Sequence, residues 1–116
     1  MNILFINGSP NSNGNTAALA KELLQGKEEV IVIGSPLYWN NICGSVRNIL
    51  DRFYGLVENG SLSGRTLYFL FQGAAPEKWM LEAGEYTMKR FAGLYGMKYA
   101  GMATNHSEAA KLSKKL

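Results

Sequence analysis

The sequence holds one cysteine, Cys43, and one histidine, His106, among 116 residues. A lone thiol excludes an intrachain disulfide and a Cys-x-x-Cys metal site. A lone imidazole makes any histidine-based triad depend on His106, and no nucleophile motif points to it. A surface or capping role suits His106 better, and Cys43 reads as a small buried residue near a helix start. No Asp/Glu/His cluster suggests a metal. No apolar run approaches the roughly 18 residues of a membrane span. The first six residues carry neither a basic leader nor a small-residue cleavage site. They read as a strand rather than a signal peptide, and the cytoplasm is the expected location. The excess of positive charge is only +3. It clusters only at Lys111, Lys114 and Lys115, in the last turn of an expected helix, where cations suit the dipole. Basic patches with interleaved aromatics are missing, which argues against a nucleic-acid partner.

What remains is one domain, residues 1–116, with the 47% hydrophobic content of an ordinary folded protein. The run Ile3 to Ile6 reads as a strand. Asn15 or Thr16 caps a helix that places Leu19 and Leu23 on one face beside Ala20 and Leu24, and Gly26 is its stop. Val30 to Ile33 is apolar at every position, as in a strand buried on both faces. A loop over 34–41 follows. Ser45 then opens a helix with an apolar stripe of Val46, Ile49, Leu50, Phe53 and Tyr54. A turn over Glu58 to Gly64 leads to a strand over Arg65 to Phe71. Pro76 suits a first helical position, with Glu77 in the first turn. That helix carries Trp79, Met80, Ala83, Thr87, Phe91 and Leu94 to a Gly96 stop. A strand over Tyr99 to Thr104 and a helix capped by Ser107 complete a βαβαβαβα order. Alternation of this kind predicts an α/β fold with a parallel sheet of four strands between helices. Ligands of such sheets sit at the carboxyl ends of the strands.

Three loops meet there. The first, residues 7–16, is rich in uncharged donors: the hydroxyls of Ser9, Ser12 and Thr16, and the amides of Asn11, Asn13 and Asn15. It is not a Walker A loop, because five residues rather than four lie between Gly8 and Gly14 and Asn15 stands where lysine should be. Donors around a helix N-terminus suit an anion, most often phosphate. An ordinary capped strand-to-helix turn is the other reading. The second loop places Tyr38 and Trp39 after a Pro36 turn, which suits a flat ligand, a subunit contact or core packing. The third, Gln72 to Pro76, lets backbone approach a ligand edge.

Three sets of residues carry a resemblance. They are Gly8-Ser9-Pro10 with Gly14-Asn15-Thr16, then Ile33 to Trp39, then Asn48-Ile49-Leu50-Asp51-Arg52. Together they resemble the flavodoxin-like NAD(P)H-dependent FMN reductases over most of the chain. The resemblance implies non-covalent FMN, with NAD(P)H as co-substrate and a small acceptor such as a flavin or quinone. Ser9, Asn11, Asn15, Thr16 and Ala17 would hold the phosphate. Pro36, Leu37, Tyr38, Trp39 and Asn40 would line the ribityl chain and ring, and Gln72 and Gly73 would face its pyrimidine edge. Hydride transfer needs no side-chain acid or base, so no catalytic residue is expected, and no metal or membrane partner is expected from the residues above. The resemblance also implies a homodimer. A flavodoxin-type electron carrier and a flavin-free dimerising relative are the alternatives. Carriers of that type tend to be acidic, and this chain is basic.

The chain departs from the family in two ways. Asn11 stands where many relatives carry arginine, which replaces a charge-assisted bond with a neutral one. A strand and its connection are also missing between the first helix and the second visible strand, where Gly26-Lys27-Glu28-Glu29 is the only link. Either the sheet is rewired, with the first helix on the opposite face by the right-handed rule, or a segment is missing between Lys27 and Glu28. The second is the favoured expectation.

Overall fold

A computed structural model describes residues 2–8 and 16–116, with helix residues 16–20 described by their backbone alone. The elements run β1 Ile3–Asn7, α1 Thr16–Gln25, β2 Val30–Tyr38, β3 Asn41–Ile42, α2 Gly44–Phe53, β4 Thr66–Gln72, α3 Lys78–Leu94, β5 Lys98–Ala103 and α4 His106–Ser113. Four strands form a parallel sheet in the order β1-β2-β4-β5. The fifth, β3, is a two-residue antiparallel addition to β2.

Alternation along each strand divides the core. Ile6, Ile31, Ile33, Leu67, Phe69 and Phe71 point to one face and pack with Leu23 of α1, Val46, Ile49 and Phe53 of α2, and Met88 and Phe91 of α3. On the second face, Val30 and Tyr68 pack with Ala103 and with Leu112 of α4. Phe53, Phe91 and Tyr95 meet ring to ring at 5.2–5.4 Å. The Tyr95 hydroxyl donates to the Phe53 carbonyl at 2.9 Å. Burial of that phenol raises its pKa, since the charged form would lose hydration.

β1 pairs directly with β2, from Ile3↔Val30 to Asn7↔Gly34. The helix between them packs against α2, so the first two crossovers lie on one face and share one hand. The chain as it stands therefore takes the rewired route. Only residues 26–29 separate α1 from β2. Gly26 donates to the Glu22 carbonyl at 2.8 Å, and a Cβ there would lie 2.6 Å from the same oxygen. The Arg65 guanidinium, just before β4, donates to the carbonyl of Leu23 at 2.6 Å and to that of Gly26. It thus satisfies acceptors that the end of a helix leaves open.

Several boundaries differ from the sequence reading. β2 continues through Gly34 to Tyr38, because β4 pairs with it as far as Pro36↔Gln72. The α2 stripe stops at Phe53, and Tyr54 is 80% exposed. α2 begins at Gly44 after Cys43. α3 begins at Lys78, with Glu77 in the capping position and Trp79 exposed. Asn105 rather than Ser107 caps α4, because its extended backbone lets its side chain accept from the Glu108 amide. Gly96 has φ of 84° and ends α3 as expected. Among the described residues, no helix is long and apolar enough to cross a membrane.

Removing the donors of Arg65 tests how α1 is held. Arg65→Met keeps the stem but leaves two helix-end carbonyls without their charged partner. Hydrogen bonds to charged groups contribute about 1.5–3 kcal/mol, so urea unfolding should show a loss of that size. Amide exchange should accelerate first in α1.

Candidate functional site at the strand ends

A cavity of about 720 Å³ opens at the carboxyl ends of the four parallel strands. Three loops and the first strand build it. Pro36, Leu37 and Tyr38 come from the end of β2; Gln72, Gly73 and Ala74 follow β4; Thr104, Asn105 and His106 link β5 to α4; Phe5 and Asn7 belong to β1.

The β2 wall is fixed by a buried polar chain. Ser35, 4% exposed, accepts from the Cys43 amide at 2.9 Å and donates to the Pro36 carbonyl at 2.8 Å. The Cys43 thiol donates to the Gly8 carbonyl at 3.2 Å, and the Gly8 amide donates to Gly34 at 2.8 Å. One small cluster thus joins the exit of β1, the end of β2 and the start of α2. Its closeness demands glycine at position 8, where a Cβ would lie 2.5 Å from Val46 Cγ2 and 2.8 Å from the Cys43 sulfur. Gly73 plays a similar part between the second and third loops, since a Cβ there would lie 3.0 Å from the Leu37 Cβ.

Beyond Pro36, Leu37 and Tyr38 pair with Ile42 and Asn41. The two residues between them, Trp39 and Asn40, have φ of 49° and 68°. This is a two-residue hairpin turn of the type I′ class. It turns Trp39 away from the cavity, and that side chain is 97% exposed.

The α4 wall has its own capping box. Asn105 Oδ1 accepts from the Glu108 amide at 2.8 Å, while the Glu108 carboxylate accepts from the Thr104 amide at 2.7 Å and from its hydroxyl at 2.6 Å. These bonds hold the Glu108 carboxyl below the ordinary glutamate range.

Of the residues expected at the site, Pro36, Leu37, Tyr38, Gln72 and Gly73 line the cavity, and Trp39 and Asn40 do not. Thr16 and Ala17 open α1. Ser9, Asn11 and Asn15 lie outside the described residues. Sequence reasoning included Asn7 in the first loop but did not place Phe5 or Thr104 to His106 at the site. Alternation along β1, and the rule that every parallel strand end faces the ligand side, could have found them. Among the described residues, no group of three or more His, Cys, Asp or Glu side chains is placed to hold a metal.

No protein-family model matches the sequence, and no curated protein matches it by sequence. Solved structures do match by shape. The Trp repressor binding protein from Bacillus subtilis superposes with a TM-score of 0.70 at 19% identity, over 98% of this chain and 96% of that one. The fold is flavodoxin-like. An NADH:FMN oxidoreductase shares that flavodoxin-like fold at a TM-score of 0.59 and 18% identity, over 97% of this chain and 84% of its own. The general stress protein 14 of Treponema denticola, solved in complex with FMN, gives 0.59 at 19% identity, over 90% of this chain and 67% of its own.

The α4 wall should loosen in acid. The folded state lowers the pKa of Glu108, so its contribution is present above the unfolded glutamate value and disappears as pH falls through the lower folded one. The Glu108 carboxyl, followed by NMR, should titrate below the roughly 4.3 of a free glutamate. The amides of Thr104 and Glu108 should lose protection over the same interval, and Glu108→Ala should abolish that pH dependence.

Proposed function

We propose that this chain binds FMN at the strand-end cavity and works in the cytoplasm as an oxidoreductase, passing electrons from NAD(P)H to a small acceptor. The observation that carries the reading is the convergence of Pro36–Tyr38 and Gln72–Gly73 on one cavity of about 720 Å³. That volume lies within the roughly 300–1,000 Å³ of small-molecule sites. The residues fit a flat heterocycle. Leu37 and Tyr38 offer apolar surface, Gln72 offers an amide with both donors and an acceptor, and the bare backbone of Gly73 admits close approach.

When bound, FMN supplies two-electron exchange, first with a nicotinamide and then with the acceptor. The protein's share is binding and orientation. Ser9, Asn11, Asn15, Thr16 and Ala17 take the phosphate in this reading, with uncharged donors and the α1 N-terminus in place of lysine. Gln72 and Gly73 fix the polar edge of the ring by hydrogen bonds. Pro36, Leu37 and Tyr38 cover the ring and ribityl region and keep water from it. No side chain is assigned a proton. The net reaction consumes NAD(P)H, one proton and the oxidised acceptor, and yields NAD(P)⁺ and the acceptor carrying two hydrogens.

One observation favours a second reading. α1 shares a face with α2, opposite to the face on which the resemblance places it. A dimerising module without flavin accommodates that change. A visible spectrum separates the two. Protein mixed with FMN and desalted should stay yellow, and anaerobic NADPH or NADH should bleach it. Colourless protein would remove the flavin reading; a yellow form that neither nucleotide bleaches would leave an electron carrier. Gln72→Ala should weaken FMN binding about fivefold, the value of one ordinary hydrogen bond of about 1 kcal/mol.

A further inference from the structure

We propose that the strand-end cavity selects flat, uncharged acceptors, and that His106 is the specificity-determining residue, admitting anionic acceptors only when its imidazole is protonated. The inference deepens the reading of this cavity as an oxidoreductase site and rests on that reading for its catalytic meaning.

The charge of the cavity wall carries the inference. Among the described residues that line it, none is Asp, Glu, Lys or Arg. The first loop and the start of α1 add no charged side chain, because Ser9 to Asn15 and Thr16 to Ala20 are all neutral types. Glu77 and Lys78 follow the third loop but do not line the cavity. Tyr38 and His106 are the ionisable groups of the described wall. Of these two types, only histidine ordinarily changes charge between about pH 5 and 8. The wall is therefore neutral above that interval and carries one positive charge below it.

α4 keeps its other charges away from the cavity. His106, which is exposed, and Ala109 line it. At about 100° per residue, Glu108 and Lys111 lie roughly 140–200° around the helix from His106. The Glu108 carboxylate is also turned back onto the Thr104 amide and hydroxyl, at 2.7 and 2.6 Å. Those bonds occupy the Thr104 donors, and the Ser35 hydroxyl is engaged with Pro36 and Cys43. A ligand on this side meets apolar surface from Phe5, Leu70, Ala103 and Ala109 beside one imidazole. An anion entering such a site loses hydration that only a cation or free donors replace. An uncharged ring escapes that cost. The reduced nicotinamide ring is itself uncharged, and a dinucleotide carries its phosphates away from that ring.

Redox-inert probes of matched shape test the selection without any flavin. Naphthalene-2-sulfonamide is uncharged and naphthalene-2-sulfonate is an anion. Calorimetry follows the binding of each to the full chain, and NMR follows the ring of His106, the sole histidine. The sulfonamide should bind equally at about pH 5.5 and about pH 8.5, on either side of the ordinary histidine range. The sulfonate should bind about tenfold more tightly at the lower pH, as for one charge-assisted contact. By reciprocity it should also move the His106 titration upward. His106→Gln keeps a neutral donor and should erase the gain at low pH while leaving the sulfonamide unchanged. A sulfonamide that does not bind, a sulfonate indifferent to pH, or a gain that His106→Gln retains would each overturn the proposal. With FMN-loaded protein, kcat/KM for 1,4-naphthoquinone-2-sulfonate relative to 1,4-naphthoquinone should fall about tenfold between the same two pH values; a constant ratio would also overturn it. Protein that takes up no FMN defeats the oxidoreductase reading alone, and the probe measurements still decide the charge selection.

Discussion

Four residues, 26–29, join α1 to β2, and their shortness decides where α1 lies. A chain leaving β1 for its neighbour can return parallel only by crossing one face of the sheet, and twist makes the right-handed crossing the favoured one. With β2 beside β1 in the direction of β4, that crossing puts α1 next to α2. Among the described residues, α1, α2 and α3 then cover one face and α4 alone covers part of the other. Arg65 fastens the end of α1 where the link is tightest. The uncovered face over β1 and the exposure of Phe5 both follow from this one geometric constraint.

Much of this was legible in the sequence, and the unread parts share a physical cause. Buried strands announced themselves because Val30 to Ile33 and Leu67 to Phe71 are apolar throughout, and Val46, Ile49 and Phe53 keep a helical period that only a helix buries. Tertiary pairing overrode local signals elsewhere. Gly34, Ser35 and Pro36 look like punctuation, yet they continue β2 because β4 supplies their ladder partners. Asn105 took the cap that Ser107 was expected to hold. Both residue types cap well, and only the backbone of the β5–α4 link chooses between them.

The candidate site was legible in its loops more than in its walls. Loops rich in Gly, Pro and amides stand out against apolar strands, so Pro36 to Tyr38 and Gln72 to Gly73 were found. Phe5 was hidden because a residue inside a short strand carries no sign of which face it serves. Trp39 was hidden in the opposite sense. Type I′ turns usually advertise themselves as Asn-Gly, whereas Trp39-Asn40 offers no such signal.

That turn also fixes when the entropy of ordering the β2 wall is lost. A bulky side chain at φ of 49° is disfavoured, so the turn persists because β3, Ser35 and Cys43 hold it from both sides. The strain and the ordering are met during folding. A ligand arriving at Tyr38 finds a wall already set and spends little of its binding free energy on arranging it.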